Sequence, residues 1–205
     1  MTYKLSNDPF VTASSMPPFA KMNQVFTTEE LDRMCHYFAS KGTDPGKIGT
    51  TGGDTMDTGL RKSGIKMHEY TAETSWIFER LNNAIADGNS HFFRFDLVGY
   101  DYLQYTEYKA PGEKYGYHTD MPYGPNHNLE KHLMRKLSFS LILSDPADYT
   151  GGEFEFMIES NKPWPVPQER GDLILFPSWL LHEVKPITRG LRKSLVGWIL
   201  GPKFV

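Results

Sequence analysis

The residues of this chain best suited to chemistry are His118 and Asp120, two positions apart in Tyr115-Gly116-Tyr117-His118-Thr119-Asp120. In an extended strand, positions i and i+2 lie on one face about 7 Å apart, so an imidazole and a carboxylate at that spacing can reach one metal ion through bonds of about 2 Å. The triplet alone says little, because a chain with 7 histidines carries a chance His-x-Asp in roughly a third of cases. A third ligand must come from another strand, and His182 is the best placed of the other histidines. It sits in Trp179-Leu180-Leu181-His182-Glu183-Val184, an apolar strand that would bury an unpaired imidazole at a cost. Ten residues later Arg192 opens a last strand on which Arg192, Ser194, Val196 and Trp198 share one face. A guanidinium turned into a cavity needs an anion, and a carboxylate meets its planar fork with two parallel hydrogen bonds.

Several strands must enter one cavity to position these groups. Residues 1–26 read as irregular, with Pro17-Pro18 blocking a helix. Thr27 and Glu30 then form a capping box, and Leu31, Met34, Cys35 and Phe38 make an apolar helical face that Gly42 terminates. Residues 43–59 are rich in Gly, Thr and Asp, and read as a surface loop or a mobile lid. A short extended piece over 63–68 precedes a second helix over 72–86, which buries Trp76, Ile77, Leu81, Ala84 and Ile85 and stops at Gly88. Beyond it the period becomes that of strands: 91–98, 100–108, 115–118, 136–144, 153–158, 172–176, 181–185 and 192–200. Pro163-Trp164-Pro165-Val166-Pro167 reads as an extended connector, and the turn signal Thr188-Arg189-Gly190 puts Arg189 at the surface. Helices followed by a run of strands predict an α+β chain in one domain over 1–205: an irregular segment over 1–26, helical support over 27–88 and a double-stranded β-helix (jelly roll) core over 89–205, backed by the helices.

Two histidines and one carboxylate on one face of a metal, with the remaining positions open, is the arrangement of non-haem Fe(II) oxygenases. The order His118-x-Asp120, His182 and Arg192 resembles the 2-oxoglutarate/Fe(II)-dependent dioxygenases. The surrounding residues resemble their prolyl 4-hydroxylase-like branch, closest to the PKHD-type hydroxylases: Tyr108, Gly112, Tyr115, His118 and Asp120 fall in its pattern. So do Arg135-Lys136-Leu137-Ser138, Gly151-Gly152-Glu153, Gly171-Asp172-Leu173 and Phe176-Pro177-Ser178, with a weaker echo in Arg61-Lys62-Ser63. The resemblance implies that His118, Asp120 and His182 hold Fe(II) and that Arg192 anchors the distal carboxylate of the co-substrate 2-oxoglutarate. It implies ascorbate as a possible reductant. Tyr108, Ser194, Ser140 and Ile142 are the expected lining of the co-substrate pocket, with core packing as the competing reading.

The net charge of −3 gives no basic excess that would argue for nucleic acid or an anionic membrane as partner. No apolar run has the length of a membrane span and the first residues lack an apolar leader, so the expectation is a cytoplasmic protein. The single cysteine, Cys35, agrees with a reducing compartment and falls on a buried helical face. His127 and His132 lie in a polar loop after the metal motif and read as solvated or substrate-facing. Three functions stay open: a hydroxylase acting on a prolyl or similar side chain of a protein or peptide, the same chemistry on a free amino acid or other small molecule, and a non-catalytic jelly roll that binds metal or sugar. The oligomeric state cannot be read from the sequence.

Overall fold

Period-two alternation in the long strands divides the molecule into two cores, one on each face of a large sheet. The computed structural model describes residues 17–50, 53–121 and 132–204. In chain order the elements are β1 (Ala20–Met22), α1 (Thr28–Ser40), β2 (Asp44–Pro45), β3 (Ile48–Thr50), β4 (Gly53–Thr55), β5 (Arg61–Lys62), β6 (Gly64–His68), α2 (Ser75–Gly88), β7 (Gly99–Lys109), β8 (Lys114–His118), β9 (Leu133–Ile142), β10 (Tyr149–Gly151), β11 (Phe154–Glu159), β12 (Lys162–Pro165), β13 (Leu173–Pro177), β14 (His182–Val184) and β15 (Ile187–Pro202). The larger sheet has 8 strands in the order β1-β13-β9-β15-β7-β6-β2, with β10 paired to β15. The smaller sheet has 5, in the order β12-β11-β14-β8-β5.

On β7, β9 and β13 the residues Leu103, Tyr105, Leu137, Phe139, Leu141, Leu173 and Leu175 share a core with Leu31, Met34 and Phe38 of α1 and with Ile77, Leu81 and Ile85 of α2. The alternate residues of the same strands, Tyr108, Ile174 and Phe176, pack instead with Phe154, Phe156 and Val184 of the smaller sheet. One strand therefore serves two cores because successive side chains point to opposite faces. Thr27 Oγ1 accepts from the Glu30 N–H at 3.2 Å while Glu30 Oε2 accepts from the Thr27 N–H at 2.9 Å, which fixes where α1 begins. Gly42, at φ +66, follows its C-terminus.

Six local expectations differ from the structure. Part of the 1–26 segment forms β1, paired to β13, and residues 188–190 are not a turn but belong to the start of β15, paired to β10. Residues 91–98 form no strand: a π-helical turn covers Asn89–Phe93, and the Asn89 side-chain amide both donates to the Phe95 carbonyl and accepts from its N–H. That closure, with Arg94 in the left-handed region, makes an extended conformation impossible there. Gly88 does not stop α2 but lies within it, and a Cβ there would stand 3.0 Å from Leu175 Cδ2, so the glycine allows the helix close to β13. The 162–165 stretch is an edge strand paired to β11, a place where Pro163 and Pro165 need no N–H to donate. Residues 43–59 include β2, which extends the larger sheet, and the β3–β4 hairpin. No helix among the described residues is long and apolar enough to cross a membrane.

Candidate metal centre

The register of the smaller sheet sets His182 of β14 directly opposite His118 of β8, and Asp120 lies two residues beyond the end of β8. One ligand atom from each of His118, Asp120 and His182 lies within 4.8 Å of the others. His118 Nδ1 is 2.8 Å from the Gly116 carbonyl oxygen and His182 Nδ1 is 2.8 Å from that of Leu180. A carbonyl only accepts, so each Nδ1 donates and each Nε2 is the ring nitrogen left to face the site. The two Nε2 atoms stand 3.5 and 3.6 Å from the Asp120 oxygens. Burial and the neighbouring His118 lower the His182 pKa to about 4 despite Asp120, so this imidazole is neutral at pH 7. Burial alone would raise the Asp120 pKa, but His182, His118 and Arg135 outweigh it and hold the carboxyl below its ordinary range. Two imidazoles with Nε2 turned inward and an ionised carboxylate, converging from fixed orientations, are a donor set that fits a divalent transition metal with one side left open.

Neighbours hold this face in place. The Tyr115 ring stacks on His118, centroids 3.5 Å apart at 13°, and the Arg61 guanidinium lies 4.4 Å from the centroid of the same Tyr115 ring. Arg135 donates to Asp101 Oδ2 at 2.6 Å and to the Asp120 backbone carbonyl at 3.1 Å, while its guanidinium lies 3.9 Å from the Trp198 ring centroid. The Asp120 N–H donates to the Ser178 carbonyl, 2.9 Å away.

The site opens into a cavity of about 1120 Å³ between the sheets. Arg192, Ser194, Val196 and Trp198 line it from alternate positions of β15, together with Tyr108 of β7 and Ser140 of β9. Arg192 is 1% exposed, stands directly across from Tyr108 and has neutral hydrogen-bond partners, Ser194 Oγ at 3.3 Å and Gln168 Oε1 at 2.9 Å. Ile142 pairs with Ser194 across the strands and is fully buried, but it is not among the residues that line the cavity. Arg189 is exposed, and Trp179 packs on Phe95 and Phe204 away from the cavity. His132 is exposed, and His127 lies outside the described residues. Asp44, Pro45, Lys47 and Ile48, within the 43–59 stretch, also border the cavity.

Sequence reasoning left Arg135, Asp101 and Gln168 without a role. Arg135 belonged to a motif but its ion pair with Asp101 joins strands 34 residues apart, and Gln168 follows a proline-rich stretch with no periodicity to mark it.

The family described as the 2OG-Fe(II) oxygenase superfamily matches residues 103–200. A PKHD-type hydroxylase of Synechococcus sp. (strain CC9902) is 45% identical over 89 residues, 43% of this chain and 36% of that protein. One from Xylella fastidiosa (strain 9a5c) is 30% identical over 158 residues, 73% of this chain and 67% of that protein. The chain thus spans 36% of the length of the first relative and 67% of the second. A solved prolyl hydroxylase from Trichoplax adhaerens, in complex with a hypoxia inducible factor oxygen degradation domain peptide fragment, shares the fold with a TM-score of 0.69 at 18% identity, over 89% of this chain and 83% of that one. By sequence over most of its length, and by fold, this chain belongs to the PKHD-type hydroxylases of the 2OG-Fe(II) oxygenase superfamily.

Proposed function

We propose that this chain is a hydroxylase that uses Fe(II), 2-oxoglutarate and O2 and acts on a prolyl or similar side chain of a protein or peptide. His118, Asp120 and His182 hold the iron in this reading, and Arg192 binds the distal carboxylate of 2-oxoglutarate. The observation that carries it is the meeting, in one cavity, of three metal donors within 4.8 Å of one another and a buried guanidinium whose partners are neutral. A plain metal-binding site has no use for a buried charge with no acidic partner among the described residues, whereas a chelating dicarboxylate needs both.

When bound, the metal with its co-substrate supplies the oxidising chemistry: one atom of O2 enters a substrate C–H bond as hydroxyl, the other enters succinate, and CO2 is released. The residues of this chain bind, orient and exclude water. The Gly116 and Leu180 carbonyls keep the two imidazoles in the ligating tautomer. Tyr115, wedged between Arg61 and His118, fixes the plane of one ring. Tyr108, Ser140 and Ser194 offer hydroxyls to the co-substrate, and Ile142 packs behind Ser194. Phe154, Phe176 and Val184 form an apolar wall.

We take a peptide over a small molecule, with a cavity of about 1120 Å³ that has room for a substrate segment beside the co-substrate. The peptide complex of the Trichoplax relative points the same way. We also take residues 1–205 as one domain, a double-stranded β-helix backed by α1 and α2, since each helix shares a core with the larger sheet. The test is a screen of proline-containing peptides for a gain of about 16 Da, the mass of one inserted oxygen, that requires Fe(II) and 2-oxoglutarate and is matched by succinate. Unchanged turnover in His118→Ala or Asp120→Ala would overturn the reading.

A further inference from the structure

Gln168 lies in the connection between β12 and β13, and its amide oxygen accepts from Arg192 Nη2 at 2.9 Å. The amide cannot be turned the other way, because its N–H2 would then face the guanidinium donor to donor. Gln168 Nε2 is buried without a partner among the described residues, and so is Arg192 Nε. A buried unmet donor carries a desolvation cost, which a residue kept for structure alone would avoid. The carbonyl therefore justifies the amide: with Ser194 Oγ on Nη1, it grips the Arg192 fork from a second side. A carboxylate in this place would hold the fork as firmly but would neutralise it. Glutamate differs from glutamine by one atom, and Glu169 follows in the sequence with its side chain exposed.

We propose that Gln168 is a positioning residue that orients Arg192 while leaving its full positive charge for the distal carboxylate of a 2-oxo dicarboxylic acid. The inference rests on the co-substrate role of Arg192 proposed above. It makes Gln168 a determinant of co-substrate selection: it acts on acids that carry the second carboxylate and is indifferent to those that only chelate the metal.

Calorimetry on the full chain loaded with Mn(II) tests this, using 2-oxoglutarate and 2-oxobutyrate as probes. Both can chelate through a carboxylate and a keto oxygen, but only the first has a distal carboxylate. Gln168→Glu should weaken 2-oxoglutarate binding about 50-fold or more, because a buried guanidinium already paired to an acid gives up little on meeting another. Gln168→Leu, which cannot accept a hydrogen bond but brings no charge, should weaken it about 5- to 10-fold, less than the full worth of a charge-assisted hydrogen bond because Ser194 Oγ still holds the fork. Both variants should bind 2-oxobutyrate like the wild type, which also shows that they are folded. In turnover, KM for 2-oxoglutarate should rise while kcat at saturation holds. Wild-type affinity for 2-oxoglutarate in Gln168→Glu would overturn the proposal, as would equal losses for the two probes, which would mark a merely structural role. A wild-type protein that binds Mn(II) but not 2-oxoglutarate would instead overturn the co-substrate role of Arg192.

Discussion

His182 stands directly across from His118 in the antiparallel pairing of β14 with β8, and the centroids of their rings are 4.3 Å apart. The candidate metal face is thus a property of strand register. A slip of one residue would turn His182 out of the cavity and bring Glu183 in, since alternate side chains face opposite ways. Sequence separation is irrelevant to it: the two imidazoles meet because Phe154 and Phe156 on β11 and Phe176 on β13 pack around His182.

This arrangement predicts a sharp loss on removing either imidazole. His118→Ala and His182→Ala should each weaken Mn(II) or Fe(II) binding by about 100-fold or more, since two donors remain where three converged. Equilibrium dialysis with metal analysis gives the constants. Circular dichroism should show an intact fold, because the backbone pairing of β14 with β8 needs neither imidazole and Arg135 still faces Asp120.

Arg192 predicts an opposition between stability and function. A buried guanidinium with neutral partners is held at a desolvation cost, and replacing such a group with an apolar side chain of similar length is often neutral or stabilising by roughly 1–4 kcal/mol. Arg192→Met should therefore unfold at the same or higher denaturant concentration than the wild type while its affinity for 2-oxoglutarate falls by about 100-fold. Arg192→Lys should recover only part of that affinity, because an ammonium lacks the planar fork. Urea melts and calorimetry on the same preparations make the comparison.

Much of this was legible in the chain, for reasons that can be traced residue by residue. His118-x-Asp120 and the alternation Arg192, Ser194, Val196, Trp198 are short-range patterns whose geometry follows from strand period alone, and the latter four do line one cavity. The Thr27–Glu30 box likewise needs only four residues. What was hidden depends on contacts that no local pattern encodes. The Asn89 amide closing on Phe95 overrides an apolar aromatic run that reads as a strand, and Gly88 serves a neighbour 87 residues away, Leu175, instead of its own helix end. Gln168 is the extreme case, since nothing in Val166-Pro167-Gln168-Glu169 distinguishes the one amide that reaches Arg192 from an ordinary loop side chain.

Gly152 couples the backbone to the anchor. It has φ +69, where a β-carbon is disfavoured, and a Cβ there would collide with Ile187 Cδ1 and lie 3.0 Å from Arg192 Cδ. Gly152→Ala should lower stability by about 2–3 kcal/mol from the combined conformational and packing cost. It should also raise KM for 2-oxoglutarate more than it lowers kcat, because the groups displaced are Ile187 and the stem of Arg192 and not the metal ligands. Thermal melts alongside initial-rate kinetics separate the two effects.

His68 supplies a dependence of stability on pH outside the metal centre. It closes β6, is 8% exposed and packs against Phe38 with ring centroids 4.5 Å apart, and its Nε2 is buried without a partner among the described residues. Burial, with Lys66 and Lys41 nearby, lowers its pKa from 6.5 to about 4. The unfolded chain takes up a proton near pH 6.5 that the folded chain refuses until about pH 4, so the stabilisation is complete above the first value and is lost as pH falls toward the second. At pH 5 the loss from this residue should be about 2 kcal/mol relative to pH 7. His182, also lowered to about 4, adds to the slope in metal-free protein. His68→Leu, close in volume and without a proton to bind, should therefore flatten the metal-free denaturation midpoint between pH 7 and pH 5 in part. Saturating Mn(II) should not reproduce that effect of the substitution, since the metal engages His182 and leaves His68 buried against Phe38. A His68→Leu variant whose midpoint falls as steeply as the wild type over that interval would show that the imidazole is already charged in the fold.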